Sequence, residues 1–187
     1  MSDERKIGVR RDDRLFADAT KRAQSVTAEW GLLQEPIEGV QVKEVRNVPK
    51  RGGYVTELYR RDWGLDDVPV DQVFQVTLEP GAVSAWHAHR LTTDRIFVNA
   101  GMVTVALYDG REDSSTFGRV NEFRAGALRP MLLVIPPRVW HGVHNAGASP
   151  ASLINVVDRA YAYDDPDHWA LPWDSDRIPY RFSRDEP

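Results

Sequence analysis

The chain has 187 residues, 42% of them hydrophobic and 10% aromatic, which is enough for one domain built around one core. Its 24 Lys and Arg against 28 Asp and Glu leave a net charge of −4, which excludes the concentrated basic face that nucleic-acid binding requires. There is no cysteine, hence no disulfide, thiol nucleophile or cysteine-ligated zinc, and neither the Met1–Lys6 start nor any later stretch has a signal-peptide or membrane-spanning character, so a soluble, cytoplasmic protein without membrane contact is expected.

The first predicted element is a helix. From Asp12 to Trp30 the apolar residues Leu15, Phe16, Ala19, Ala23, Val26 and Trp30 recur at spacings of three and four, and Gly31 is placed to end the run. Residues 1–35 therefore read as a helical extension with an apolar face to bury in packing or in a dimer contact. After Glu35-Pro36 the period changes, and residues 36–187 read as one β domain with a C-terminal tail. Strands are expected near Val40–Val45, Tyr54–Arg60, Gln72–Leu78, Arg95–Asn99, Val103–Tyr108, Leu132–Ile135, Gly142–Asn145 and Ala151–Asp158, separated by Gly, Pro and Asn breakers. Many short strands without long helices between them predict an antiparallel sandwich or barrel. The last 25 residues, rich in Asp, Pro and aromatics, are expected to pack over it irregularly.

Four of the five histidines fall in two windows, Trp86-His87-Ala88-His89 and Trp140-His141-Gly142-Val143-His144-Asn145. Alternate residues of a strand share a face, so His87 and His89 can point into a barrel together. Gly81, five residues, His87, one, His89, four, Asp94, six, Gly101 reproduces the first cupin motif, with Asp94 where glutamate is usual. Pro136, one residue, Arg138, two, His141, three, Asn145 reproduces much of the second, with Arg138 where glycine is usual. The fold class expected is thus all-β, a double-stranded β-helix of the cupin type. His87, His89, Asp94 and His141 are the donor types that converge on one divalent ion such as Fe, Mn, Ni or Zn in a metal-dependent cupin. The same residues serve acid–base chemistry with no metal. His144, three residues from His141, is expected to face away toward the surface or a partner, and His168 receives no role.

A second pattern is similar to the dTDP-4-dehydrorhamnose 3,5-epimerase family. It rests on Ile37-Glu38-Gly39-Val40 with Gly53-Tyr54-Val55-Thr56-Glu57-Leu58-Tyr59, on Asp109-Gly110-Arg111 through Ser114, Phe117 and Gly118, and on Ile135-Pro136-Pro137-Arg138-Val139-Trp140-His141-Gly142. The resemblance covers about Ile37 to Pro187. It implies a cofactor-free epimerase or isomerase that takes a proton from the carbon beside the ketone of a 4-keto sugar nucleotide, and it implies a homodimer. His87 would be the base, Arg95 would stabilise the enolate, His141 would match the second family histidine, and Asp185 would pair with the base. Trp86, Tyr161 and Arg111 are the expected substrate contacts. Three departures stand out: Ser84 replaces an arginine, His89 a glutamine, and the family tyrosine falls near Asn155, with Tyr161 and Tyr163 a few residues on. A metal-dependent oxygenase or isomerase, or a sugar-binding cupin without turnover, would also fit these departures.

Overall fold

The computed structural model describes residues 19–21, 24, 26–28 and 33–182. The chain divides into two units, residues 1–34 and 35–187. The expected helix is not supported: the residues of the 12–30 span that are described, Ala19–Lys21, Gln24 and Val26–Ala28, have no helical backbone, and the rest of that span lies outside the described residues.

Among its described residues the second unit has twelve strands: β1 (Gln41–Glu44), β2 (Val48–Lys50), β3 (Gly53–Val55), β4 (Gln72–Leu78), β5 (Val83–Ala88), β6 (Asp94–Ala100), β7 (Met102–Tyr108), β8 (Val120–Gly126), β9 (Met131–Ile135), β10 (Trp140–His144), β11 (Ala151–Val157) and β12 (Trp169–Ala170). One five-stranded sheet runs β1-β9-β6-β11-β4 and a second runs β12-β5-β10-β7-β8, while β2 and β3 form a separate hairpin. All pairings are antiparallel, and the two larger sheets make the jelly roll. The tight β6–β7 connection turns on Gly101, whose φ of +74° is one that a side chain resists. Among the described residues no helix is long and apolar enough to cross a membrane.

Alternation along the strands produces two apolar layers. Ile96 and Val98 of β6, Val105 and Leu107 of β7, Leu133 and Ile135 of β9 and Leu153 of β11 belong to the core between the sheets. On the outer face of the second sheet, Trp86 and Ala106 pack with Ile178 and Phe182 of the C-terminal tail. The tail is more regular than expected: β12 pairs with Ala88 and His87 of β5, and Trp86 and Leu171 exchange two backbone hydrogen bonds. The strand expected over Tyr54–Arg60 shrinks to β3, Gly53–Val55, and β2, β5, β8 and β12 fall outside the expected strands.

Candidate active site

Between the two sheets lies an open-mouthed cavity of about 520 Å³, a size that suits a sugar-sized ligand. Its walls come from five strands, mostly through alternate residues: Phe74, Val76 and Leu78 from β4, Asp94 and Ile96 from β6, and, three residues apart where the register slips, Ser84 and His87 from β5. His141 and Val143 from β10 and Leu153 and Asn155 from β11 complete the floor, with His89 just beyond the end of β5. Tyr161, Asp167 and His168 of the tail close one side.

Four imidazoles meet here. The His89 ring lies 5.5 Å from that of His141 and 5.6 Å from that of His168, and the His87 ring lies 4.8 Å from that of His168 and 6.2 Å from that of His141. Their environments differ. Burial, helped by the three neighbouring histidines, pushes His87 down to about 4, so it is neutral at neutral pH. Its Nε2 lies 3.1 Å from the Ser84 hydroxyl, and its buried Nδ1 has no hydrogen-bond partner among the described residues. Burial likewise keeps His141 and His168 below the ordinary imidazole value.

His89 differs in charge. Its Nδ1 faces the backbone carbonyl of Asp167 and its Nε2 faces the Asp94 carboxylate at 3.2 Å. Neither oxygen has a proton to give, so both ring nitrogens face acceptors, an arrangement that favours the doubly protonated ring. Burial opposes that charge, but the bond to Asp94 and the Asp167 carbonyl outweigh it, and His89 is raised above its usual value. Asp94 remains ionised for the matching reason: burial is overcome by His89, by the nearby His141 and by Asn155, whose amide donates to the other carboxylate oxygen at 2.6 Å.

Several expected residues are elsewhere. Arg95 follows Asp94 on β6, so it points to the opposite side of the sheet. There it is fully buried, paired with Asp66 at 2.6 Å and bonded to the carbonyls of Val68, Pro69 and Val156, and it does not line the cavity. Trp86, next to His87, faces outward for the same reason and is sealed against Tyr180 and Phe182. Arg111 is held by Asp109 at 2.8 Å and by the Glu38 carbonyl, away from the pocket. His144 faces away from the pocket but is buried, with its ring 6.0 Å from that of Phe182, rather than exposed. Tyr161 lines the cavity, and Asp185 lies outside the described residues. His168, which the sequence reading left without a role, lines the pocket.

The donor set expected to hold a cation is only partly assembled. His89, Asp94 and His141 each offer an atom within 4.8 Å of the others, but His87 is not among them, its Nε2 being engaged with Ser84. His89 faces Asp94 as a proton-bearing partner, not as a free donor. The arrangement fits an acid–base site better than a four-donor metal centre.

The chain matches the model of the cupin domain over residues 74–157, which span β4 to β11. It is 34% identical over 139 residues to the probable low-salt glycan biosynthesis epimerase Agl13 of Haloferax volcanii, covering 74% of this chain and 89% of that protein. It is 35% identical over 147 residues to the spore coat polysaccharide biosynthesis protein SpsL of Bacillus subtilis, covering 79% and 97%. Among solved structures, a dTDP sugar isomerase from Desulfovibrio desulfuricans G20 superposes with a TM-score of 0.72 at 34% identity, over 79% of this chain and 92% of that one. With both histidine motifs gathered in one jelly-roll pocket and these likenesses spanning nearly the whole of each relative, the chain belongs to the dTDP-4-dehydrorhamnose 3,5-epimerase-like family of the cupin superfamily.

Proposed function

We propose that the protein is an epimerase or isomerase of a 4-keto sugar nucleotide. The observation that carries this reading is the convergence of His87 and the His89–Asp94 pair in one cavity large enough for a sugar, where burial lowers the first imidazole and Asp94 raises the second. His87 takes the proton from the carbon beside the ketone, and the electron pair of the broken C–H bond moves to the ketone oxygen as an enolate. A neutral ring in a site sheltered from bulk water accepts that proton without first having to lose one. The enolate needs positive charge, and with Arg95 turned away, His89 supplies it. No cofactor enters the reaction. The sugar-epimerase and dTDP-sugar-isomerase relatives support the substrate class.

The test is solvent exchange. Incubated in D2O with dTDP-4-keto-L-rhamnose, the wild-type protein should place deuterium on carbon next to the ketone, read by mass spectrometry and proton NMR, and His87→Ala should abolish it. Ligand binding without any exchange would instead make this a sugar-binding cupin. A homodimer in the cytoplasm goes with the same reading. The outward apolar residues of the β2–β3 hairpin, Val48, Tyr54 and Val55, support the dimer, and light scattering that finds a monomer at micromolar concentration would count against it.

A further inference from the structure

The tail segment that carries His168 is pinned on both sides. On one side the Asp167 carboxylate accepts the consecutive amides of Arg90, Leu91 and Thr92 at 2.8, 2.8 and 3.1 Å, and the Thr92 hydroxyl at 3.1 Å. On the other, Trp169 and Ala170 form β12 against the edge of β5, and Leu171 bonds Trp86 in both directions. His168 sits between an anion clamp and a β-ladder, so its imidazole is held over the pocket, although its sequence neighbours suggest a loose acidic tail. The His168 side chain is itself exposed, so its backbone, not core packing, holds it there.

His168 also differs from the other three histidines. Ser84 engages His87, Asp94 engages His89, and the Val139 carbonyl lies 3.3 Å from Nδ1 of His141. Neither ring nitrogen of His168 has a hydrogen-bond partner among the described residues, and its ring is tilted 52° to that of His87 with centroids 4.8 Å apart. His87 is the more enclosed of the two, with its Nδ1 sealed from solvent. A base in that position gains a proton at each abstraction and needs a path by which to lose it.

We infer that His168 is that path: a proton relay between His87 and solvent, positioned by the Asp167 clamp. The inference rests on the proposed proton abstraction. The substrate C–H bond breaks and its proton binds His87. The resulting imidazolium passes a proton to His168 through water in the pocket, and the second nitrogen of His168 releases a proton to the pocket mouth. The reverse sequence brings a solvent proton in. No oxidant, reductant or metal takes part, and charge balances at each transfer.

The relay makes a prediction that a structural role does not. When His87 returns a proton to the carbon it came from, the recovered substrate contains deuterium only if His87 has first traded with solvent. Wild-type protein and His168→Ala are therefore each incubated with dTDP-4-keto-L-rhamnose in D2O, and deuterium in recovered substrate is compared with conversion to product. The relay predicts that wash-in per turnover falls at least about tenfold in His168→Ala, and that imidazole added to the buffer restores it through the space left at the mouth. An unchanged ratio of wash-in to conversion, or a loss of both together that imidazole does not restore, overturns the relay. If the wild type exchanges nothing, the abstraction step itself is wrong and the relay falls with it. A circular-dichroism melt of the variant that matches the wild type rules out unfolding as the cause.

Discussion

Gly142 lies between His141 and Val143 on β10, where the register against β5 slips: His141 stands opposite His87, but Val143 stands opposite Ser84. A Cβ built on Gly142 would come 2.4 Å from the Cβ of Ala85 and 2.9 Å from the ring of Phe182. Carbon atoms in good contact sit about 3.5–4.0 Å apart, so Gly142→Ala forces β10 and β5 to separate by about 1 Å. Phe182 can swing away, but Ala85 is strand and cannot. Overpacking of this kind costs about 1–3 kcal/mol, and misplacing reacting groups by about 1 Å costs on the order of 100-fold in rate. The substitution should therefore lower the urea midpoint measurably while reducing kcat for deuterium exchange much more. The double variant Gly142→Ala with Ala85→Gly removes the 2.4 Å contact and should recover most of the lost stability and part of the rate. If Gly142→Ala melts and turns over like the wild type, the two strands are not packed as described. If the double variant is no better than the single one, Ala85 is not what the methyl group meets.

Three further outcomes follow from the charges. Asp109 is fully buried, and hydrogen bonds from Arg111, Ser114 and Thr116 outweigh the effect of burial and hold its carboxyl well below the usual range. A depressed folded value means that its stabilisation is complete above the unfolded value of about 3.9 and is lost as pH falls through the folded one. Asp109→Asn should thus cost about 3 kcal/mol at pH 7 by leaving a buried pair broken, and the gap from the wild type, measured by urea unfolding, should narrow toward pH 2. Because His87 is pushed down to about 4, kcat/KM should stay flat down through pH 6 and fall only near pH 4; a drop centred near the ordinary histidine value would refute the neutral-base assignment. Asp94→Asn removes the charge that keeps His89 protonated, so the His89 ring should titrate lower, as nitrogen-15 NMR would read, with an exchange rate reduced on the order of 10- to 100-fold; a cationic His89 in the variant would exclude Asp94 as its cause.

Much of this fold is visible in the sequence because strands alternate. The runs at Gln72–Leu78, Val103–Tyr108 and Ala151–Val157 carry period-two patterns of β-branched and apolar residues, and their positions are read almost to the residue. β5 is harder to see: Val83-Ser84-Ala85-Trp86-His87-Ala88 puts its polar residues inward and its largest apolar one, Trp86, outward beneath the tail, inverting the usual signal. Alternation also bears on the site. If Asp94 and His87 face the pocket, their neighbours Arg95 and Trp86 cannot, so the roles expected of those two conflict with the local geometry. His168 is a different case. Its place depends on Asp167 finding the 90–92 amides some 75 residues earlier in the chain, a contact with no local periodicity to announce it. The apolar spacing from Asp12 to Trp30 gave a helix that the described residues of that span do not adopt, since periodicity alone does not supply the packing that most protein helices need.

The contact between Asp94 and its two histidines joins the halves of the sandwich. Asp94 and Asn155 belong to one sheet, while His141 belongs to the other and His89 directly follows a strand of it, so the charges at the pocket floor are also a fastener between layers. Chemistry and cohesion therefore draw on the same few atoms. A ligand that strengthens this contact should slow amide hydrogen exchange on β6 and β11 as well as on β10, far beyond its own footprint, whereas a variant that weakens it should loosen both layers at once.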